Sequence, residues 1–171
     1  MKKSSRGFSL IELLIVVAII LIIAAIAIPN LLRSRIAANQ SSAVGSLRTL
    51  NTAEVTYSTT YNTGYSSTLG DLGPAPAGTT PIATAAGLVD EVLSGSAAGG
   101  AVATVSSKSG YGFAYSPGGT DTSGRINTYS ITATPISVGT TGTNYYYTDQ
   151  SGVIRQNSTA VAGSSDSPLA G

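Results

Sequence analysis

The sequence has no cysteine and no histidine in 171 residues. Without cysteine there are no disulfide staples and no metal–thiolate sites, so an exported form must rely on its core or on assembly for stability. Without histidine the commonest general base and the commonest metal ligand near neutral pH are missing. The usual catalytic triads and zinc centres are therefore excluded, and the chain is read as a non-enzyme with no cofactor. Charged residues make up 10% of the chain and the net charge is +1, which gives no electrostatic case for nucleic acid as a specific partner. Low charge also argues against disorder driven by self-repulsion.

What the chain does have is unevenly placed apolarity. Leu13 to Ile28 carries no polar side chain, and with a few interruptions the run extends over Phe8 to Leu32. A helix of about 25 residues spans about 37 Å, enough for a hydrocarbon layer of about 30 Å. Lys2, Lys3 and Arg6 precede the run. Their charge holds the N-terminus on the cytoplasmic side and leaves the bulk of the chain outside. A conventional cleaved signal fits poorly, because the run is long and Glu12 sits near its start. Ala25-Ile26-Ala27 loosely resembles a cleavage site but leads into Ile28-Pro29 and a continuing helix. An ordinary single-pass anchor fits better, yet it leaves Glu12 unexplained. A carboxylate in a membrane helix costs about 2.5–3.5 kcal/mol at the centre, less near an end, and usually has a partner.

Arg6-Gly7-Phe8-Ser9-Leu10-Ile11-Glu12, followed by the apolar run and Pro29, resembles the class III signal of type IV pilins and type II secretion pseudopilins. The resemblance implies cleavage between Gly7 and Phe8 by a prepilin peptidase and N-methylation of Phe8. It also implies that Glu12 acts in assembly with the Phe8 amine. An assembly ATPase and an inner-membrane platform protein are further implied partners. Residues 1–60 carry the likeness most clearly. The segments SLRTLNTAEVTY (46–57), GYSSTLGDLG (64–73) and YYYTDQSGVIRQ (145–156) look like those of bacterial pilin-like proteins.

Phe8 and Glu12 are one helical turn apart and would share a face. Within one subunit the new amine could meet its own Glu12, or in a bundle the Glu12 of a neighbour. Apolar helices slide past one another at little cost, whereas a buried charge pair penalises each misaligned register. Pro29 lacks an N–H and crowds the preceding turn, so a kink or local melting is expected near Ala25 to Asn30. Arg33 and Arg35 either anchor the outer end of the run at headgroups or stay solvated.

The expected fold is α+β: a long N-terminal helix, transmembrane in its inner half and amphipathic in its outer half, packed on a small antiparallel sheet. The divisions are a cleaved leader at 1–7, a transmembrane and assembly helix at 8–32, and its amphipathic continuation at 33–61. A globular sheet domain at 62–157 and a flexible tail at 158–171 follow. Leu32, Ile36, Ala43, Leu47, Leu50, Tyr57 and Tyr61 form the apolar stripe, with Asn39, Ser42, Arg48 and Asn51 on other faces. Gly45 weakens this helix by about 1 kcal/mol relative to Ala.

Gly and Pro density marks a loop from Thr63 to Gly78. A short helix is expected over Thr84 to Leu93 with Leu88, Val89 and Val92 buried, then a flexible link from Gly95 to Gly100. Three or four strands are expected around Tyr111–Tyr115, Asn127–Thr134, Tyr145–Tyr147 and Val153–Arg155. The tyrosines suit strands and sheet rims better than a ligand platform. Asp71, Asp90, Glu91, Asp121 and Asp149 read as separate solvated charges, a calcium site among some of them being the alternative to no metal.

The leading functional expectation is a filament subunit: a single-pass precursor in the inner membrane that polymerises through its N-terminal helix into a surface pilus. Adhesion, motility and DNA uptake are the roles the resemblance implies. A type II secretion pseudopilin or minor pilin is the alternative, and a membrane-anchored binding module comes after it.

Overall fold

The computed structural model describes residues 8–95 and 105–169. It divides into two units, one ending at Arg35 and one beginning at Ile36, and a single helix, α1 (Leu10–Tyr61), runs through both. The helix ends at Tyr61. The expected local melting around Pro29 is not found, because Ala25 to Asn30 is α-helical throughout. A proline removes one N–H from the ladder, and the bonds on either side keep the helix formed.

In the first unit the chain is helical from Leu10 onward, and every large apolar side chain from Phe8 to Leu32 is exposed. By length and composition this helix suffices to cross a membrane.

In the second unit α1 buries Ala43, Val44, Leu47, Leu50, Ala53 and Tyr57, at the spacing of three and four that a helix needs to keep one face inward. Leu32 is exposed and Ile36 and Tyr61 only partly buried, so the expected stripe is covered from Ala43 onward. Its cover is a five-stranded antiparallel sheet in the order β1 (Val105–Lys108), β2 (Tyr111–Pro117), β3 (Tyr129–Pro135), β4 (Tyr145–Asp149) and β5 (Arg155–Asn157). Alternation sends Tyr111, Phe113 and Tyr115 of β2 and Tyr129, Ile131 and Ala133 of β3 into the core. The register sets Phe113 opposite Ala133 and Tyr115 opposite Ile131. A sheet of this size needs a second layer to bury one face, and α1 supplies it.

Several local expectations change. The sheet has five strands because Val105–Lys108 pairs with β2, although Val-Ser-Ser-Lys carries little strand signal. The loop after α1 contains a 3₁₀ turn, Leu69–Leu72, whose start is fixed by Thr68 and Asp71 in a reciprocal capping box. The helix expected over Thr84 to Leu93 shrinks to one turn, α2 (Glu91–Ser94). The chain before it instead lies along the 3₁₀ turn, with Ala86 N–H donating to Asp71 C=O at 2.8 Å and Leu88 N–H to Leu72 C=O at 2.9 Å. Asp90 caps α2 and Gly95 ends it at φ 68°, a left-handed conformation that glycine adopts without strain. Leu93 and Val89 are buried, but Val92 is exposed because a single turn presents it to solvent. The flexible link expected after Gly95 lies outside the described residues.

The stretch from Ser158, expected to be a loose tail, folds back along β5 as far as it is described. Gln156 N–H donates to Ser167 C=O at 3.0 Å, Leu169 N–H donates to Ile154 C=O at 2.8 Å, and Ala162 is buried. The Asp166 carboxylate accepts from Gly163 N–H at 2.7 Å and Asn157 Nδ2 at 2.9 Å, closing the return.

Two connections share one turn chemistry. In Asp121-Thr122-Ser123-Gly124 and Asp149-Gln150-Ser151-Gly152 the Asp Oδ1 accepts from the Ser N–H and hydroxyl. In both the Gly N–H donates to the Asp C=O at 2.9 Å.

Candidate assembly site

The start of α1 is built from Ser9, Leu10, Ile11 and Glu12. The first turn of any helix has N–H groups with no intrahelical acceptor. Here Glu12 Oε2 accepts from Ser9 N–H at 2.9 Å while Ser9 C=O receives Leu13 N–H at 3.2 Å. Ser-x-x-Glu is the sequence signature of such a cap, and the carboxylate also meets the positive end of the helix dipole. The cap is legible in the sequence from this spacing. Phe8 lies two residues before the helix and is 84% exposed. Its nitrogen is an amide while Gly7 is attached, so inside the uncut chain Glu12 takes a backbone donor. Gly7 and the rest of the leader lie outside the described residues. Pro29 falls inside α1, and Ser34 Oγ donates to Asn30 C=O at 3.0 Å just beyond it.

Asp71, Asp121 and Asp149 lie on separate elements, and Asp90 and Glu91 are neighbours at the start of α2. Asp71 Oδ2 accepts from Ser67 N–H, Ser67 Oγ and Thr68 N–H at 3.0, 2.6 and 2.9 Å. Asp90 accepts from Leu93 N–H and forms a half-exposed ion pair with Lys108 at 2.7 Å, whose hydrogen bond lowers the Asp90 pKa. The Ser123 hydroxyl, Arg125 N–H and Asn127 amide hold Asp121 well below the usual carboxylate range. For Asp149 partial burial works upward, and the Ser151 hydroxyl and amide outweigh it to lower its pKa. Among the described residues no three His, Cys, Asp or Glu side chains group closely enough to hold a metal.

The core tyrosines spend their hydroxyls internally. Tyr57 donates to Ala83 C=O at 2.9 Å, Tyr111 to Asn144 C=O at 2.8 Å, Tyr115 to Ser66 C=O at 2.7 Å and Tyr129 to Asn51 Oδ1 at 3.1 Å. Burial pushes Tyr111 up to about 12 and raises Tyr115 and Tyr129 further. Ring pairs Tyr65–Tyr129 and Tyr115–Tyr129, with centroids 4.7 and 6.1 Å apart, pack the same wall. Asn51, expected on an outer face of α1, turns to the sheet and donates to Thr148 Oγ1 at 2.8 Å.

Sequence reading missed Glu54, which is fully buried on α1. The signal was its position, four residues after Leu50 and three before Tyr57, on the apolar stripe itself. Burial raises its pKa, partly offset by hydrogen bonds from the Ser66 hydroxyl and amide.

Comparison with known proteins bears on the N-terminal region. Residues 2–28 match the family model described as the prokaryotic N-terminal methylation motif. The chain is 46% identical over 72 residues to the type IV major pilin protein PilA of Myxococcus xanthus, covering 42% of this chain and 32% of that protein. It is 59% identical over 39 residues to the type IV wide pilus major component PilA4 of Thermus thermophilus, covering 23% of this chain and 30% of that protein. The matched region thus spans about a third of the length of each relative. No solved structure matches significantly.

Proposed function

We propose, for a chain whose N-terminal segment makes it a member of the type IV pilin family, that it is a structural subunit of a type IV pilus filament. The observation that carries this reading is the first unit of α1. Its large apolar side chains are all exposed, and it bears one carboxylate, Glu12, at its start. Full burial stabilises each such side chain by about 1.5–3 kcal/mol. A surface of this kind is stable in lipid or against other helices of its own sort. The relatives' names, a major pilin and a wide-pilus major component, favour a pilus over a secretion pseudopilus.

The precursor sits in the inner membrane with Lys2, Lys3 and Arg6 on the cytoplasmic side. Prepilin peptidase hydrolyses the Gly7–Phe8 bond, leaving a carboxylate on the leader and an ammonium group on Phe8. Methylation of that nitrogen keeps its positive charge. Glu12 then gains a cationic partner, the Phe8 terminus of an adjoining copy, in place of reliance on the Ser9 amide. A carboxylate and an ammonium among apolar helices attract strongly when aligned and are each left unpaired when misaligned. The pair therefore fixes axial register, while the apolar surface supplies the bulk of the association. Head-to-tail repetition of one such contact generates an open helical polymer. An assembly ATPase and a platform protein would drive insertion of each copy, and the finished filament is displayed at the cell surface. Pro29 is where one backbone bond of α1 is missing, and is the place where the helix yields on passing from membrane to filament.

Mass analysis of the N-terminus of material sheared from cells tests this. The expected species begins at methylated Phe8 and is abundant in a sedimentable filament. Purified native protein that still starts at Met1 and runs as single molecules would overturn the proposal.

A further inference from the structure

Glu54 plays no part in the assembly chemistry, yet among the described residues it is the one fully buried carboxylate. Ser66, also fully buried, donates its N–H to Oε2 at 2.9 Å and its hydroxyl to Oε1 at 2.6 Å. The Ser66 C=O in turn receives the Tyr115 hydroxyl from β2 at 2.7 Å. One carboxylate and one serine thus join three elements: α1, the connection that leaves it, and the sheet.

The groups facing this joint offer no positive charge. Asp71 comes from the 3₁₀ turn and adds a negative one. Tyr57 of α1, Tyr115 of β2 and Tyr129 of β3 are phenols whose own ionisation is pushed up by burial. Among the described residues the one ion pair is Lys108–Asp90, so no cation pairs with Glu54.

We propose that the Glu54–Ser66–Tyr115 joint is a proton-controlled fastening, locked while Glu54 is neutral and loosened at the connection 62–68 when Glu54 ionises. A neutral carboxyl keeps both contacts in a dry site, Oε2 accepting the Ser66 N–H and the proton on Oε1 being donated to the Ser66 hydroxyl oxygen. An ionised one is a buried charge beside Asp71 with no counter-charge, and opening the connection lets water reach it. The joint touches the sheet only through the Tyr115 side chain and uses none of the backbone bonds of the β1–β5 ladder, so the response is local. The folded protein holds this proton more tightly than the unfolded chain does. The stabilisation is therefore complete below the ordinary glutamate range and is lost as pH rises through the higher folded value.

The test is hydrogen exchange on the full chain in detergent micelles, reported as protection factors so that the intrinsic pH dependence of exchange divides out. Between about pH 5 and about pH 8, protection at 62–68 should fall about tenfold for each unit by which the Glu54 pKa is raised within that span. Amides of β2 to β4 should hold steady. Glu54→Gln keeps both contacts, its carbonyl accepting the Ser66 N–H and its amide donating to the Ser66 hydroxyl, so its protection should not change with pH. A flat wild-type profile, or the same slope in Glu54→Gln, overturns the proposal. Should Glu54→Gln fail to fold, carbon-detected titration of the wild-type carboxyl decides: titration above the ordinary glutamate value upholds it, and titration at or below that value overturns it.

Discussion

Residues 8–35 and residues 36–169 treat apolar side chains in opposite ways. In the first, Leu, Ile and Val cover the whole circumference of α1 and all of them are exposed. In the second, Ala43, Leu47, Leu50, Ala53 and Tyr57 recur on one face and are buried under β2 and β3. The same helix thus carries one segment whose partners must come from outside the chain and one whose partners are already present. Polar groups follow the same division. Glu12 uses a backbone donor three residues away, whereas Glu54 and Asn51 reach residues 12 and 97 positions distant. Stability of the folded unit and competence to assemble should therefore respond to different substitutions.

The largest separation is expected from Glu12→Ala. Membrane insertion should continue, since removing a carboxylate lowers the cost of the apolar helix. Sheared filaments should vanish, since no acid remains to meet the Phe8 terminus. Normal filaments from Glu12→Ala would end the register role. Next in size is Leu50→Ala, which opens a cavity under the sheet and should cost about 2–5 kcal/mol, read as a lower urea midpoint. Ile20→Ala in the first unit should leave that midpoint within error, because its side chain touches no core. A matching loss in both variants would erase the contrast. Asp71→Ala removes three acceptor contacts at Ser67 and Thr68, the Thr68 one being half of the capping box, and should cost about 1 kcal/mol in the same titration.

The contrast also explains what could be read in advance. An uninterrupted apolar run and a helical stripe are long, repeated signals, so α1 and its two characters were legible within a residue or two. The faces of β2 and β3 were legible because Tyr111, Phe113 and Tyr115, and Tyr129, Ile131 and Ala133, alternate cleanly. What escaped depends on contacts between distant segments. Val105–Lys108 becomes a strand because β2 offers it a ladder, and 158–169 is held because Ile154 and Gln156 meet Leu169 and Ser167. Residues before α2 lose their helix to hydrogen bonds with the 3₁₀ turn, which outweigh a short segment's weak propensity. At the candidate assembly site the residue types were legible, and the Glu12–Ser9 cap follows from the Ser-x-x-Glu spacing once the orphan N–H groups of the first turn are counted.

Gly45 sharpens the comparison at the smallest scale. It lies within the covered half of α1, yet a Cβ built on it meets nothing within 4 Å and its backbone is ordinarily helical. Nothing among the described residues therefore requires glycine there, and the residue costs helix stability through the freedom it loses on folding. Gly45→Ala should raise the urea midpoint by an amount equivalent to about 0.5–1 kcal/mol, with the ligand-free monomer in detergent as the sample. Thr49 Oγ1, which donates to the Gly45 C=O at 3.1 Å, is undisturbed by the change. An unchanged or lowered midpoint would show that the exposed side of α1 is not free in the folded unit. The division between a segment covered by its own chain and one awaiting others would then have to be redrawn nearer the C-terminal end of the helix.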